Sequence, residues 1–302
     1  KDIGKVGGKG ANLGEMFNAG IPVPPGFCVT VDAYKEFIAS NDIQEFIDDI
    51  LSDLDVEDTQ KLQTASEEIH TLILEADIPD RIASEIMENY EIIGDFVAVR
   101  SSATAEDLPH ASFAGQQATY LNVRGKKEVL EAVKKCWASL FTARAIYYRV
   151  RNDFKHEDVF ISVVVQKMVN SDSAGVMFTA NPVTNDLKEM IIEGSFGLGE
   201  AVVSGMVSPD SYTVSKDPVT VKDINISEKK MGIFRGQDGK NYEEEFDPDR
   251  ANGRVLSEKQ IILLGNMGEQ IEKHYKKPQD IEWAFENGEL FITQSRPITT
   301  LR

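Results

Sequence analysis

Residues 280–297 read DIEWAFENGELFITQSRP. Two apolar runs flank Asn287-Gly288, the pattern of a β-hairpin. Each arm nevertheless carries polar groups: Asp280 and Glu282 on the way in, Gln294 and Arg296 on the way out. A two-residue turn would set Glu286 against Glu289 and Glu282 against Thr293, and would send Gln294 to the face opposite Glu282. A three-residue loop, Glu286-Asn287-Gly288 with Gly288 left-handed as a bulge, moves the register by one. Asp280 then faces Gln294, Glu282 faces Ile292, and the polar groups share one face with Arg296. Trp283, Phe285 and Phe291 take the other. A metal shared by Glu282 and Gln294 needs both oxygens on one face, so the bulged loop is the expected register. Such oxygens suit a hard cation such as Mg²⁺, and Arg296 beside them suits charge on a transferring phosphoryl group. The plain alternative is an Asp280–Arg296 cross-strand salt bridge on a solvated face.

The rest of the chain narrows the class of protein. It has 302 residues, room for one large domain or two lobes. A formal charge of −18 argues against a nucleic-acid partner. No apolar run reaches the ~20 residues of a membrane span, and the opening KDIGKVGGK has no apolar signal region. Cys28 and Cys136 sit in apolar contexts and read as free buried thiols of a reducing, cytoplasmic compartment. His70, His110, His156 and His274 lack metal-ligand spacing. A chain without an initiator Met that enters a glycine-rich motif by residue 4 reads as a fragment or a processed product.

Along the chain, VGGKGANLGEMFNAGIPVPPGFCVT predicts a glycine-rich turn, a short helix, a Pro-rich turn and a strand. Residues 32–91 carry helical periodicity, and a long amphipathic helix is expected over KEVLEAVKKCWASLFTARAIYYRVRN. Strand signals dominate from VFISVVVQKMV to about residue 235, and Ser257 with Gln260 forms a capping box for SEKQIILLGNMGEQIEKHY. DGKNYEEEFDPDRANGR is expected to be a surface loop. The mixture implies an α+β fold rather than regular βαβ winding. The boundary is placed between an N-terminal lobe, 1–165, and a C-terminal lobe, 166–302.

Three further stretches could carry chemistry. In AVRSSATAEDLPHASFAGQQATYLNV, Arg100 ends an apolar strand and a loop of small residues follows, with Gly115 before a second strand. Small residues let backbone N–H groups approach phosphates; the plain alternative is a surface loop. In VGGKGANLGEM, Lys9 follows Gly7-Gly8 at a helix start, where anions are favoured, although the spacing is not that of a phosphate-binding Walker loop. GSFGLGEAVVSG fails the dinucleotide spacing and is expected to be a tight turn into a helix. In FISVVVQKMV, Gln166 and Lys167 interrupt an apolar strand that ends in Met168 and Val169. Such a strand end can offer donors and acceptors to an adenine ring, or can simply mark a register change.

Together these stretches resemble the ATP-grasp nucleotide-binding domain of the dikinase family, which includes phosphoenolpyruvate synthase, pyruvate phosphate dikinase and rifampin phosphotransferase. GGKGANLGEM, AVRSSATAEDLP, ASFAGQQ, SLFTARAIYYR, GVMFT, GLGEAVVSG and TQSRP fall in the family's order over nearly the whole chain. The wording of the second and third is most like the synthase and the rifampin enzyme. The resemblance implies two ATP-grasp lobes with the nucleotide cleft between them. It gives Lys9 and Arg100 the ATP phosphates, Gly115 and Thr119 the phosphate-covering loop, and Gln166, Lys167, Met168 and Val169 the adenine. Glu282 and Gln294 would bind Mg²⁺ with Asp280 nearby, and Arg296 would steady the transferring phosphates. It also implies a reaction: ATP, pyruvate and water give AMP, phosphoenolpyruvate and phosphate, by way of a phosphohistidine. That histidine's Thr-Ser-His-type motif has no match here, so the mobile phosphohistidine domain and the pyruvate-binding domain are expected outside this chain. His110 is an incidental loop residue. A rifampin-type acceptor and a non-catalytic ATP-sensing module are the competing readings.

Overall fold

The computed structural model describes residues 2–104, 118–299 and 301. Gly115 and His110 lie outside the described residues. Helices and antiparallel strands divide the chain into two compact units, 1–11 with 25–168 and 12–24 with 169–302. The sequence reading placed residues 12–24 with the N-terminal lobe; they group with the second unit.

The first unit holds a four-stranded sheet in the order β1-β4-β2-β3, from β1 (Gly26–Val29), β2 (Val97–Ala103), β3 (Thr119–Val123) and β4 (Ile161–Lys167). Strand β4 reads as a near-continuous apolar run because Ile161–Gln166 are buried on both faces. Val97, Val99, Val163 and Val165 point into the core. Against them lie α2 (Val31–Ser40), α3 (Ile43–Ser52), α4 (Thr59–Glu75), α5 (Asp80–Ile93), α6 (Lys126–Ala138) and α7 (Ala143–Arg151). Phe37 and Trp137 stack at its centre with ring centroids 4.6 Å apart. The long amphipathic helix of the sequence reading is two helices. A 3-10 turn over Ser139–Phe141 breaks it, and the Thr142 hydroxyl caps the second by accepting from Ala145 N.

The second unit holds a six-stranded antiparallel sheet in the order β12-β11-β5-β6-β7-β8. Its strands are β5 (Ser173–Phe178), β6 (Glu189–Phe196), β7 (Asp210–Ser215), β8 (Thr220–Asn225), β11 (Gln279–Glu286) and β12 (Glu289–Pro297). Helix α10 (Glu258–Tyr275) starts at the expected Ser257–Gln260 capping box and covers one face. Gly265 and Gly268 let it approach: a side chain at Gly268 would stand 3.0 Å from the Met177 thioether. On that covered face Trp283 pairs with Gly175, which pairs with Gly194. A Cβ on Gly194 would lie 2.7 Å from the Trp283 ring, so the indole occupies the room the glycine leaves. The expected turn into a helix after GSFG is present as α8 (Glu200–Val203). The acidic stretch at 238–254 is not a plain loop. It forms β10 (Asn241–Glu245), paired with β9 (Met231–Arg235), and α9 (Pro248–Ala251). Both units pack helices against an antiparallel sheet, an α+β arrangement. No helix among the described residues is long and apolar enough to cross a membrane.

Candidate functional site

Three predicted residues of the first unit meet at β2. Arg100 lies between Val164 of β4 and Thr119 of β3. Directly opposed residues of antiparallel strands point to the same face, so Arg100 and Thr119 stand side by side. Gln166 pairs with Ala98, two residues before Arg100, and so shares their face, away from the helical core. It is 4% exposed. Lys9 arrives from α1 (Ile3–Asn18), which is interrupted at Gly7 (φ 66, ψ 175). The helix proper therefore starts at the glycines, and Lys9 sits in its first turn, where unpaired N–H groups favour anions. Its Nζ donates to the carbonyl of Ser101, 3.3 Å away. Gly10 N donates to the Ser102 hydroxyl, which donates in turn to the Val6 carbonyl. A Cβ on Gly7 would overlap the hydroxyl and carbonyl of Ser102. Glycine is required there twice over, for its positive φ and for that approach. Lys167 N and Met168 N donate to the carbonyls of Pro25 and Phe96, each at 2.9 Å.

In the second unit the hairpin does bring its polar groups onto one face, by a different route from the one expected. Asn287 (φ 51) and Gly288 (φ 82) are both left-handed, and Glu286 pairs with Glu289. The connection is thus the two-residue type I′ turn that Asn-Gly prefers, and the three-residue loop is incorrect. The extra residue lies within β12: the register shifts between Glu282 and Trp283, so Trp283 pairs with Ile292 and Glu282 with Gln294. Thr293 is the bulged residue, and its hydroxyl donates to the Glu282 carbonyl at 3.3 Å. Three expected pairings change with it. Glu282 faces Gln294 and not Ile292; Asp280 faces Arg296 and not Gln294; and Phe291 pairs with Ala284, on the polar face, not with Trp283 and Phe285.

Glu282 and Gln294 are both half-buried and directly opposed. Next to them Arg296 donates from Nε and a terminal nitrogen to Asp280 Oδ2, at 2.9 and 2.8 Å. The plain cross-strand pair is therefore real, and it coexists with the oxygen wall. Arg296 is 65% exposed and Asp280 15%, so the carboxylate is fixed while the guanidinium faces solvent. An acid and an amide opposed on one face fit a hard cation that keeps part of its water or phosphate shell. No three His, Cys, Asp or Glu among the described residues cluster as a metal site, so an ion here would depend on Gln294 and on its ligand. Val169 packs with Ala174, Ala284 and Phe291, directly beside this wall.

One residue that ties the wall together was missed. Asp172 N donates to the Phe285 carbonyl, its own carbonyl accepts from Gly197 N, and its carboxylate accepts from Asn287 N at 2.6 Å. It anchors the hairpin turn, the glycine turn at 197 and the entry into β5. The only sequence signal was a polar run, Asn170-Ser171-Asp172-Ser173, ahead of an apolar strand.

Residues 3–302 match the family described as the pyruvate phosphate dikinase AMP/ATP-binding domain. The chain belongs to that family. A probable phosphoenolpyruvate synthase of Archaeoglobus fulgidus is 56% identical over all of this chain and 40% of its own length. The phosphoenolpyruvate synthase of Pyrococcus furiosus is 48% identical, again over all of this chain and 43% of its own length. The rifampicin phosphotransferase of Bacillus subtilis is 46% identical over 98% of this chain and 34% of its own length. The chain thus spans less than half the length of these relatives.

Proposed function

We propose that this chain is the ATP-binding, phosphoryl-donating part of a cytoplasmic phosphoenolpyruvate synthase, with an ATP-grasp architecture in which both units serve one nucleotide. The observation that carries the reading is the Glu282–Gln294 pair, with Arg296 and Asp280 in the adjacent row. Directly opposed, half-buried acid and amide oxygens on one face are what a metal–phosphate site requires. In this reading Lys9 and Arg100, which stands midway along β2, contact the phosphates, Gly115 and Thr119 belong to the phosphate-covering loop, and Gln166, Lys167, Met168 and Val169 meet the adenine.

Lys9 and Arg100 orient the phosphate chain and lower its charge. Their placement on a strand and a helix start, not on free loops, reduces the ordering cost at binding. Arg296 is aimed by Asp280, so its guanidinium meets charge that develops as the phosphoryl group leaves. Mg²⁺ held by Glu282 and Gln294, with Asp280 nearby, would supply charge neutralisation across the phosphates. Delivery of the phosphoryl group to a histidine, and from it to pyruvate, belongs to domains outside this chain. A rifampicin-type acceptor is the second reading, favoured by the Bacillus subtilis relative.

The test is calorimetry of Mg-ATP on the isolated chain, followed by an assay for AMP with pyruvate present. Binding without pyruvate-dependent AMP formation is expected. Absence of Mg-ATP binding by the folded chain, or vigorous phosphoenolpyruvate synthesis by these 302 residues alone, would overturn the reading.

A further inference from the structure

The polar face of the second sheet does not end at the hairpin. Glu282 pairs with Val176, Val176 with Glu193, and Glu193 with Ser211. Each opposed residue points to the same face, so Glu193 stands in one row with Gln294 and Glu282, two strands from Glu282. At the usual strand spacing this separates them by about 10 Å. Alternation along β6 agrees: Glu189, Ile191 and Glu193 are half-buried, while Met190, Ile192 and Gly194 are buried.

Glu193 differs from the other acid on that side of β6. The Glu189 carboxylate is occupied, accepting from Lys222 and from Asn181. The Glu193 carboxylate makes no hydrogen bond and no ion pair among the described residues. Burial alone raises its pKa, with no cation nearby to offset it. Two residues along, Ser195 is 1% exposed and its hydroxyl also lacks a partner. A half-buried acceptor left open beside a second unsatisfied oxygen is costly unless a ligand brings donors. Glu193 does not converge with Asp280 and Glu282 on one ion, since no three such groups cluster. It is placed to receive hydrogen bonds, not to share the metal.

We infer that Glu193 is a specificity residue that accepts the ribose hydroxyls of the bound nucleotide. This rests on the proposed ATP site. A vicinal diol presents two donors that match the two oxygens of one carboxylate. On one nucleotide the ribose hydroxyls and the terminal phosphates are separated by a span comparable with the distance between Glu193 and Glu282. Among the groups of a nucleotide, the ribose is the one that offers two adjacent hydroxyl donors.

The experiment compares Mg-ATP and Mg-2′,3′-dideoxyATP binding to the chain by calorimetry. It uses the wild type, Glu193→Met, which keeps the length without an acceptor, and Glu193→Gln, which keeps one acceptor. The wild type should prefer ATP by about tenfold, the scale of hydrogen bonds to a charged group at a half-buried site. Glu193→Met should lose that preference by weakening ATP alone, and Glu193→Gln should fall between. If the wild type shows equal affinity for both nucleotides, or Glu193→Met keeps the preference, the inference is overturned while the ATP site stands. Failure of the folded wild type to bind either nucleotide overturns both.

Discussion

Each unit holds charged groups on the sheet face opposite its buried aromatic and aliphatic core, and they do so by different means. In the first, Arg100 stands in an uninterrupted part of the ladder, and Lys9 is pressed against the same strand by glycines that admit no side chain. In the second, Glu282 and Gln294 meet only because Thr293 is squeezed out of register. Buried charge differs as well. Arg149 of the first unit is 1% exposed, and it donates to His156 Nδ1 at 2.8 Å and to the Leu140 carbonyl at 2.6 Å, with no carboxylate partner in that set. Lys229 of the second is wholly buried against Asp210, whose oxygens also accept from Tyr212, Ser227 N and Val255 N. The first unit thus depends on a neutral histidine, whereas the second closes its buried charge as an ion pair. Mutations and acid should act on them unequally.

The largest expected effect is on the second wall. Trp283→Ala removes a side chain that is 1% exposed and packed over Gly194, which should cost about 3–5 kcal/mol in urea unfolding. A loss under about 1 kcal/mol would show that the wall does not depend on its buried face. Next, Arg296→Ala in the complete enzyme should slow phosphoryl transfer by about 3 kcal/mol while changing ATP affinity much less. Equal losses in both would make Arg296 a ground-state clamp. On the first wall, Gly7→Ala should cost about 2–3 kcal/mol, from a Cβ at positive φ and overlap with Ser102. A neutral result there would mean that Lys9 is not held by that approach.

Acid separates the units further. Burial, and after it the Arg149 guanidinium, lowers the His156 pKa from 6.5 to about 4. A depressed folded-state pKa means that the unfolded chain takes the proton first. The stability is therefore complete above pH 6.5 and is lost as pH falls toward about 4. Partial solvent exposure reduces this to about 1–2 kcal/mol. His156→Gln should flatten that part of the pH profile of unfolding; an unchanged slope would contradict it. The smallest effect is at the turn. Gly288→Ala should cost about 1 kcal/mol, since a Cβ there meets only the penalty of φ 82 and no neighbour within 4 Å.

Much of this was legible in the sequence because it depends on local chemistry. The capping box at Ser257, the helical run over 32–91 and the left-handed Gly288 follow from residue type and spacing. The break at Ser139–Phe141 was hidden because apolar periodicity continues through it and only packing decides the kink. The bulge was hidden for a related reason. Asn-Gly dictates its own turn, and the demand that Glu282 face Gln294 was met elsewhere, at Thr293, where nothing in residue type marks a bulge. Glu282 and Gln294 do share a face, while the geometry offered for it was wrong. A constraint on which residues share a face does not say where the chain absorbs the extra residue. Asp172 and Glu193 were missed because their roles depend on strands far apart in sequence.

The central proposal is that Arg100 in the first unit and the Glu282–Gln294 pair in the second each contribute to ATP binding. Its most direct test is ATP binding with and without Mg²⁺ to the wild type, Arg100→Ala and Glu282→Gln. The account predicts that Arg100→Ala weakens ATP in both conditions, while Glu282→Gln abolishes only the part that Mg²⁺ adds. A Glu282→Gln chain whose Mg²⁺-dependent gain in affinity equals that of the wild type would contradict it.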